Sequence, residues 1–361
     1  MEKSKINIRQ LFSLMVLFEI GSAIVVGLGM KAKQDAWLAI ILGMVSGLLL
    51  FLIYGYIFYQ YPNLPLTSCI QKILGRYLGT LLAFSYILYF IYIASRVLRD
   101  FGELIVTTTL DGTPLIIVNL LIILVVAYGS YLGLEVLARA GEILFMFMIV
   151  LVLLFVSFLF ISNLPKIENL QPFLQDGLKP VLTTVFPLTL TFPFGEMIVF
   201  NMFLPYLNKP KEGIKTGLHA MILSGILLSA VIALNISVLG VHNAANATFP
   251  SYKSIQKINI GNFIQRLDII GIITLIIGGF FKIGIFSYGA VIGLADLFKV
   301  KKHDKLVYAV SIVVFIGSIQ IANNFSEHIE IGLDKVPTYV HIPLQVVVPL
   351  LLLFVILIRK G

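Results

Sequence analysis

The chain has 361 residues, of which 59% are hydrophobic and 12% are charged, and its mean hydropathy is +1.00. A soluble domain carries about 25% charged residues, so this composition excludes an ordinary soluble protein. The net charge of +8 does not indicate nucleic acid binding, because no basic run is long or interleaved with aromatic residues. The single cysteine, Cys69, excludes an internal disulfide and a thiolate metal cluster. We expect a small buried residue or a reduced cytoplasmic thiol there, and no cofactor.

Apolar segments recur along the whole chain. A spanning helix needs about 20 mostly apolar residues, and ten segments qualify, which we number spans 1 to 10. They lie near residues 10–29, 36–59, 77–106, 114–132, 141–162, 181–204, 216–240, 262–297, 305–321 and 340–358. The start is similar to a signal peptide, but the first apolar run is long and more spans follow, so we expect an uncleaved first helix. The sequence predicts an all-α membrane protein with a single transmembrane domain over residues 1–361.

The basic residues between the spans predict the orientation. With the N-terminus inside, the inner segments hold 15 Lys and Arg residues and the outer segments hold 8. Cytoplasmic loops carry the excess of basic residues in membrane proteins. We therefore expect both termini in the cytoplasm, and an even number of spans agrees.

Span 1 carries a carboxylate close to mid-depth. An ionised side chain at the bilayer centre costs about 2.5–3.5 kcal/mol, and such residues usually face a bundle interior or a water-filled cavity. Glu19 is followed by Gly21, Ser22 and Ala23, which would allow close helix packing or unwinding. Packing accounts for the small residues but not for the carboxylate, so a functional site is favoured here.

Span 6 holds Pro187, Pro193, Gly195 and Glu196 within VFPLTLTFPFGEMIVF. Proline removes a backbone donor and kinks or breaks a helix, and broken helices at mid-membrane form the substrate sites of many secondary transporters. A plain kink remains an equal alternative at Pro187. From Pro193 to Glu196 we predict a helix break with a ligand site.

In span 3, Arg96, Arg99, Asp100 and Glu103 share one helix face. Arg96 with Asp100, and Arg99 with Glu103, are i,i+4 pairs of opposite sign. Arg96 already lies near the outer interface, so two interpretations stay open for Arg96 and Arg99. One is ligand binding, and the other is snorkelling with mutual neutralisation.

Span 8 carries Lys282 near the centre of a 37-residue segment. A buried ammonium should lose its proton or find a carboxylate, and Glu19 and Glu196 are the candidate partners. A structural ion pair would be compatible with function. In the loops, we expect His303 and the cluster of Glu327, His328 and Glu330 to be solvated polar residues rather than metal ligands.

The polar positions repeat across the two halves of the chain. Ten spans divide into two groups of five, about 10–162 and about 181–358, and the interrupted spans 1 and 6 occupy equivalent places. Such interruptions at corresponding positions indicate an inverted-repeat transporter with a site between the repeats. No nucleophile–base or metal-ligand spacing appears at membrane depth, so we do not expect an enzyme.

Six segments together resemble the permease-like B subunit of endospore germination receptors, a branch of the amino acid–polyamine–organocation superfamily. They are LFEIGSA at 17–23, KQDAW at 33–37, LRDFGELI at 98–105, GLEVLARAGEI at 133–143, FPFGEMIVFNMFLP at 192–205 and GGFFKIG at 278–284. The sequence departs from its relatives at Asp111-Gly112, before Thr113-Pro114, where leucine and proline are more usual. This departure affects only the expected conformation of that loop.

The resemblance implies a leucine-transporter-type fold of 5+5 inverted repeats, with spans 1 and 6 interrupted. It implies assembly with an A subunit and a lipoprotein C subunit in the inner membrane of the spore. The implied function is recognition of a small nutrient germinant, often an amino acid, followed by ion release.

By the same resemblance, the pocket would lie among Gly21, Ser22 and Ala23, the region Arg96 to Arg99, Gly195 and Glu196, and Lys282. Lys282 would act as an internal cation in place of a sodium ion. Two alternatives remain: an independent proton-coupled amino acid transporter that uses Glu19 or Glu196 as the titrating group, and a channel subunit, which overlaps with the receptor.

Overall fold

The structure is a computed structural model that describes residues 5–259, 268–300 and 304–360. The described chain is predominantly helical, and the extended pairing found in it is one isolated bridge between Ile6 and Leu207. The α-helices are α1 (Ile8–Ile20), α2 (Ala36–Gln60), α3 (Leu66–Leu74), α4 (Arg76–Thr108), α5 (Leu115–Tyr131), α6 (Leu134–Ile161), α7 (Leu178–Thr184), α8 (Gly213–Leu239), α9 (Val241–Asn246), α10 (Pro250–Gln256), α11 (Asp268–Leu297), α12 (Asp304–Gln320), α13 (Phe325–Glu330) and α14 (Val348–Lys360).

The number of spans agrees with the sequence. Over the described residues, seven helices are long and apolar enough to cross a membrane, or eight if the bent pair 304–320 and 325–335 counts as one span. The shorter apolar helix α5 and the broken first span bring the number to ten. The predicted all-α membrane fold is confirmed.

Span 1 is interrupted where the glycine and serine occur. Asn7 and Gln10 form a capping box at the start of α1, and the helix ends at Gly21. Short 3₁₀ segments follow at Ser22–Ile24 and Met30–Asp35. Gly21, Ser22 and Ala23 are buried, so the interruption is surrounded by protein, as unpaired backbone groups at membrane depth require.

Span 6 is interrupted around its prolines. Helix α7 ends at Thr184, and Phe186 within the next wide turn has extended backbone angles (φ −111°, ψ 120°). A 3₁₀ segment, Phe194–Met202, follows Pro193. Because proline has no N–H to donate, regular i→i−4 bonding cannot continue through this run, and the predicted break is confirmed.

Several elements differ from the sequence prediction. A short helix, α3, lies between spans 2 and 3, and two more, α9 and α10, lie between spans 7 and 8. The expected loop between spans 9 and 10 is instead helical: α12 is followed by a 111° bend into the helix 325–335. Wide π-helical turns then continue from Pro337 to Val347 around Pro343. We call residues 325–347 the bent segment.

Helix α11 lies at the centre of the bundle, where it packs most extensively along α4 and also contacts α1, α5, α6 and α12. Large apolar side chains on the outer helices are exposed, among them Leu124, Leu153 and Phe354. Exposed apolar surface on this scale is typical of helices that face lipid. The polar side chains of spans 1, 3, 6 and 8 therefore point into the bundle.

Candidate ligand site

A buried ion pair joins spans 6 and 8. Nζ of Lys282 on α11 lies 2.6 Å from Oε2 of Glu196 in the broken span 6, and both side chains are almost completely buried. Nζ also lies 4.7 Å from the ring centroid of Phe192 and 5.1 Å from that of Phe18. Aromatic faces attract a desolvated cation, so the ammonium is held by one carboxylate and two rings.

Glu19 lies beside this ion pair, within electrostatic range of Lys282 and Glu196. It is fully buried, and neither of its carboxylate oxygens has a hydrogen-bond partner within the described chain. The three ionisable residues predicted from spans 1, 6 and 8 are thus brought together. Whether they bind a ligand remains a prediction.

The break in span 1 places the backbone directly against α11. A Cβ atom added at Gly21 would lie 2.7 Å from Cδ of Lys282, and one added at Gly278 would lie 3.1 Å from Cα of Gly21. Ser22 is buried and its hydroxyl has no hydrogen-bond partner among the described residues, and Ala23 is fully buried. Because Gly21 and Gly278 have no side chains, α11 can pack against the interruption of span 1 and place Lys282 beside it.

A cavity opens next to Glu196. It is small and partly open to solvent. Its walls come from α4, the span 6 break, the chain after the span 1 break and the bent segment. The lining residues are Val26, Ile93, Arg96, Val97, Asp100, Phe192, Glu196, Ile329, Gly332, Leu333, Val336 and His341. Glu196 therefore connects the cavity to the Lys282 ammonium behind it.

Arg96 and Asp100 both line this cavity, but they do not form the i,i+4 ion pair that one of the two open interpretations required. Asp100 pairs instead with His328, with 2.8 Å between Oδ1 and Nε2, and Arg96 donates to the main-chain carbonyl of His328. The bent segment brings His328 into the bundle and thereby draws the two side chains apart. His328 is buried, so the expectation of a solvated loop histidine was also wrong.

Arg99 faces away from the cavity. Its Nη2 lies 2.8 Å from Oε1 of Glu103, so this predicted i,i+4 pair is confirmed, and its Nη1 donates to the carbonyls of Ser318 and Ile319 at 3.5 and 3.4 Å. Arg99 therefore ties α4 to the end of α12 and is not among the residues that line the cavity.

A polar network that the sequence analysis missed closes the cavity from the side of span 10. Gln345 Nε2 donates to the hydroxyl of Tyr89 at 2.6 Å, and that hydroxyl lies 2.9 Å from Nδ1 of His341. Tyr54 donates to the carbonyls of Gln345, at 2.7 Å, and of Gly195, at 3.2 Å. The available signal was the pair His341 and Gln345, two polar residues four positions apart in an apolar span.

The other loop residues play no part in this cavity. Glu327 accepts hydrogen bonds from Asn323 at the start of α13, and Glu330 is exposed, as expected of a solvated residue. His303 lies outside the described residues. Among the residues that the structure describes, no three His, Cys, Asp or Glu side chains are grouped to hold a metal ion.

The fold is similar to that of a solved structure described as "Crystal structure of MhsT in complex with L-phenylalanine". The similarity covers 96% of this chain and 97% of that one, with a TM-score of 0.68 and 13% sequence identity. At this identity the similarity establishes the fold alone, which is of the leucine-transporter type expected from the interrupted spans 1 and 6.

The sequence comparisons agree on one family. The chain is 44% identical over 360 residues to spore germination protein KB of Bacillus subtilis (strain 168), a match that covers 100% of this chain and 96% of that protein. It is 26% identical over 296 residues to spore germination protein YndE of the same organism, covering 81% and 79% of the two chains. The family model described as "Spore germination protein" matches residues 5–326. The chain therefore belongs to the spore germination protein family, whose members are permease-like membrane proteins.

Proposed function

We propose that this chain is the permease-like subunit of a spore germination receptor and that it binds a small nutrient germinant, an amino acid being the first candidate. The ligand would occupy the cavity lined by Arg96, Asp100 and Glu196. One observation carries the proposal: Glu196, which lines the cavity beside two interrupted spans, forms a buried ion pair with Lys282 behind it. Interrupted helices with ionisable residues at depth are typical of ligand sites in this fold.

Ligand binding at this place can change the conformation of the subunit. The cavity is enclosed by three parts of the chain that are not continuous helices: the span 1 break, the span 6 break and the bent segment. A ligand shifts a conformational equilibrium only through different affinities for the two states. A ligand that draws these segments together would stabilise the closed state, and partner subunits would detect the change and release ions.

The remaining parts of the proposal concern the setting of the subunit. We place it in the inner membrane of the spore with both termini in the cytoplasm, supported by the excess of basic residues in the inner segments. Residues of about 10–162 and 181–358 would form the two inverted repeats. A receptor A subunit and a lipoprotein C subunit would be its partners, together with the lipid bilayer and no nucleic acid.

The test is the response of spores to nutrients. We expect Lys282→Met and Glu196→Gln to abolish nutrient-triggered germination, because each removes one half of the ion pair at the cavity wall, while the protein remains in the membrane. Lys299→Met is the matched control, since this exposed lysine lies just beyond the end of the same helix. A normal dose–response curve in either of the first two variants would remove that residue from the mechanism.

An independent proton-coupled amino acid transporter is the second candidate. The fold favours it, and so does Glu19, a buried carboxylate whose oxygens have no hydrogen-bond partner among described residues. Uptake of labelled amino acids by the purified chain in liposomes separates the two functions. Robust uptake would favour transport; no uptake, together with loss of nutrient-triggered germination when the gene is deleted, would favour sensing.

A further inference from the structure

Arg96 is a buried guanidinium that faces the cavity without an ion-pair partner among the described residues. Its side chain is 6% exposed, and it lines the cavity together with Val97 and Glu196. The oxygens that accept its hydrogen bonds are neutral: the carbonyl of His328 and, at 3.4 Å, the hydroxyl of Tyr92. A buried cation is costly unless it is paired.

The carboxylates near Arg96 have other partners. Asp100 is bonded to the ring of His328, Glu103 is paired with Arg99, and Glu196 is paired with Lys282. Within the described chain, none of these three carboxylates forms an ion pair with Arg96. Arg99, three residues further along the same helix, has Glu103 as its counter-ion, so of these two arginines it is the one on the cavity wall that has no counter-ion.

We propose that Arg96 binds the carboxylate of the ligand and thereby restricts the germinant to small carboxylates. This inference rests on the proposed function, because it places the germinant in the same cavity. A guanidinium presents two parallel N–H groups to a carboxylate and forms the strongest hydrogen bonds available to it in a protein. The carboxylate is thus held by a side chain of α4, rather than by the N-terminus of a half-helix as in many transporters of broken-helix type.

The rest of the lining indicates what the ligand carries besides the carboxylate. Asp100 and Glu196 are acceptors for an ammonium group in the same cavity, whereas Ile93, Phe192 and Val336 form apolar wall. A zwitterion with an apolar side chain satisfies all three kinds of contact. An amino acid with an aliphatic side chain is therefore the preferred ligand class, because a neutral sugar would leave the guanidinium without a counter-ion.

The test compares charged and neutral nutrients on spores that carry this receptor with its partner subunits. The probes are the twenty amino acids, the amide of each amino acid that triggers germination, and D-glucose as a neutral nutrient. We expect an aliphatic amino acid to act and its amide to be at least about 10-fold weaker. Arg96→Gln should raise the half-maximal concentration by about 10- to 100-fold, the effect of losing a charged hydrogen bond, and Arg96→Lys by less.

Two controls separate binding from packing. The first is the double variant Arg99→Gln with Glu103→Gln, which removes the neighbouring arginine together with its counter-ion and so leaves no unpaired charge. This variant should leave the amino acid response unchanged. His328→Gln removes the contact of the bent segment with Asp100 but keeps the charge of Arg96, so the preference for the amino acid over its amide should persist. The comparison of an amino acid with its amide uses the unaltered protein. It therefore tests the role of the carboxylate even if an Arg96 variant fails to fold.

The results that would contradict the inference differ in which claim they overturn. An unchanged half-maximal concentration in Arg96→Gln, or equal potency of the amide, overturns the role of Arg96. If spores respond to D-glucose and to no amino acid, and Glu196→Gln abolishes that response, the proposed function still stands. This result would, however, overturn the inference that the ligand is a carboxylate. If no probe triggers germination through this receptor, both fail.

Discussion

At the scale of single residues, the burial of the charged pair Lys282 and Glu196 is costly. Breaking a buried ion pair by removing one partner costs about 3–5 kcal/mol, whereas replacing both partners by neutral residues is often close to neutral. The pair lies at 2.6 Å and both side chains are almost fully buried. The two groups should therefore be coupled in stability.

We expect Lys282→Met and Glu196→Gln each to lower the melting temperature of the purified protein in detergent. The double variant should be more stable than either single variant, although it does not respond to nutrient. Thermal unfolding of the four proteins, including the unaltered one, forms a double-mutant cycle. Losses that simply add would show that the two side chains are not paired.

Cys69 gives a separate test on the short helix α3. Its thiol is buried, it donates to the carbonyl of Leu64 at 3.4 Å, and burial raises the pKa of this thiol to about 12. Below that pKa the thiol stays protonated, and the thiolate is the reactive form. We expect almost no alkylation by maleimide at pH 8 in the folded protein and full alkylation after unfolding in dodecyl sulfate. Rapid labelling of the folded protein would contradict the packing of α3.

At the scale of elements, the fold depends on the close approach of α11 to the interruption of span 1. A Cβ at Gly278 would meet the backbone of Gly21 at 3.1 Å, whereas a Cβ at Gly284 on the same helix would meet side chains at 3.9–4.0 Å. The first contact requires a backbone shift, and the second is ordinary van der Waals contact.

We therefore expect Gly278→Ala to displace α11, to lower the melting temperature and to weaken the nutrient response, because Lys282 moves away from Glu196. Gly284→Ala is the matched control and should be neutral or slightly stabilising, since alanine is favoured over glycine in a helix by about 1 kcal/mol. Germination assays and thermal unfolding of both variants provide the measurement. Equal behaviour of the two variants would show that the close approach does not position Lys282.

The elements that could be predicted from the sequence are those set by local chemistry. Gly21 and Pro193 interrupt their helices through backbone properties that neighbouring residues cannot change, and Lys282 needed a partner wherever it was buried. The bent segment could not be predicted, because its residues 325–339 contain no apolar run of membrane length. The contact that fixes it, from Asp100 to His328, joins positions 228 residues apart. An i,i+4 pair between Arg96 and Asp100 would be favourable in an isolated helix. In the folded chain, contacts of both side chains with His328 replace it.

At the scale of the whole molecule, the orientation in the membrane can be tested with the single cysteine removed. In a Cys69→Ser background, Lys33→Cys should react with a membrane-impermeant thiol reagent applied to intact cells, and Lys209→Cys only after permeabilisation. Both lysine side chains are exposed, at 60% and 68%, so access is not limited by packing. Labelling in the opposite order would reverse the orientation that the basic residues predict.

The central claim is that a nutrient occupies the cavity between α4, the span 6 break and the bent segment. The most direct measurement is protection from a small thiol reagent in isolated membranes, in the Cys69→Ser background. Leu333→Cys lines the cavity and is partly exposed, and Lys335→Cys, two residues further on, is exposed and does not line it. With the nutrient that the panel identifies, we predict slower modification at Leu333→Cys and an unchanged rate at Lys335→Cys. Equal rates at Leu333→Cys with and without saturating nutrient would contradict the account.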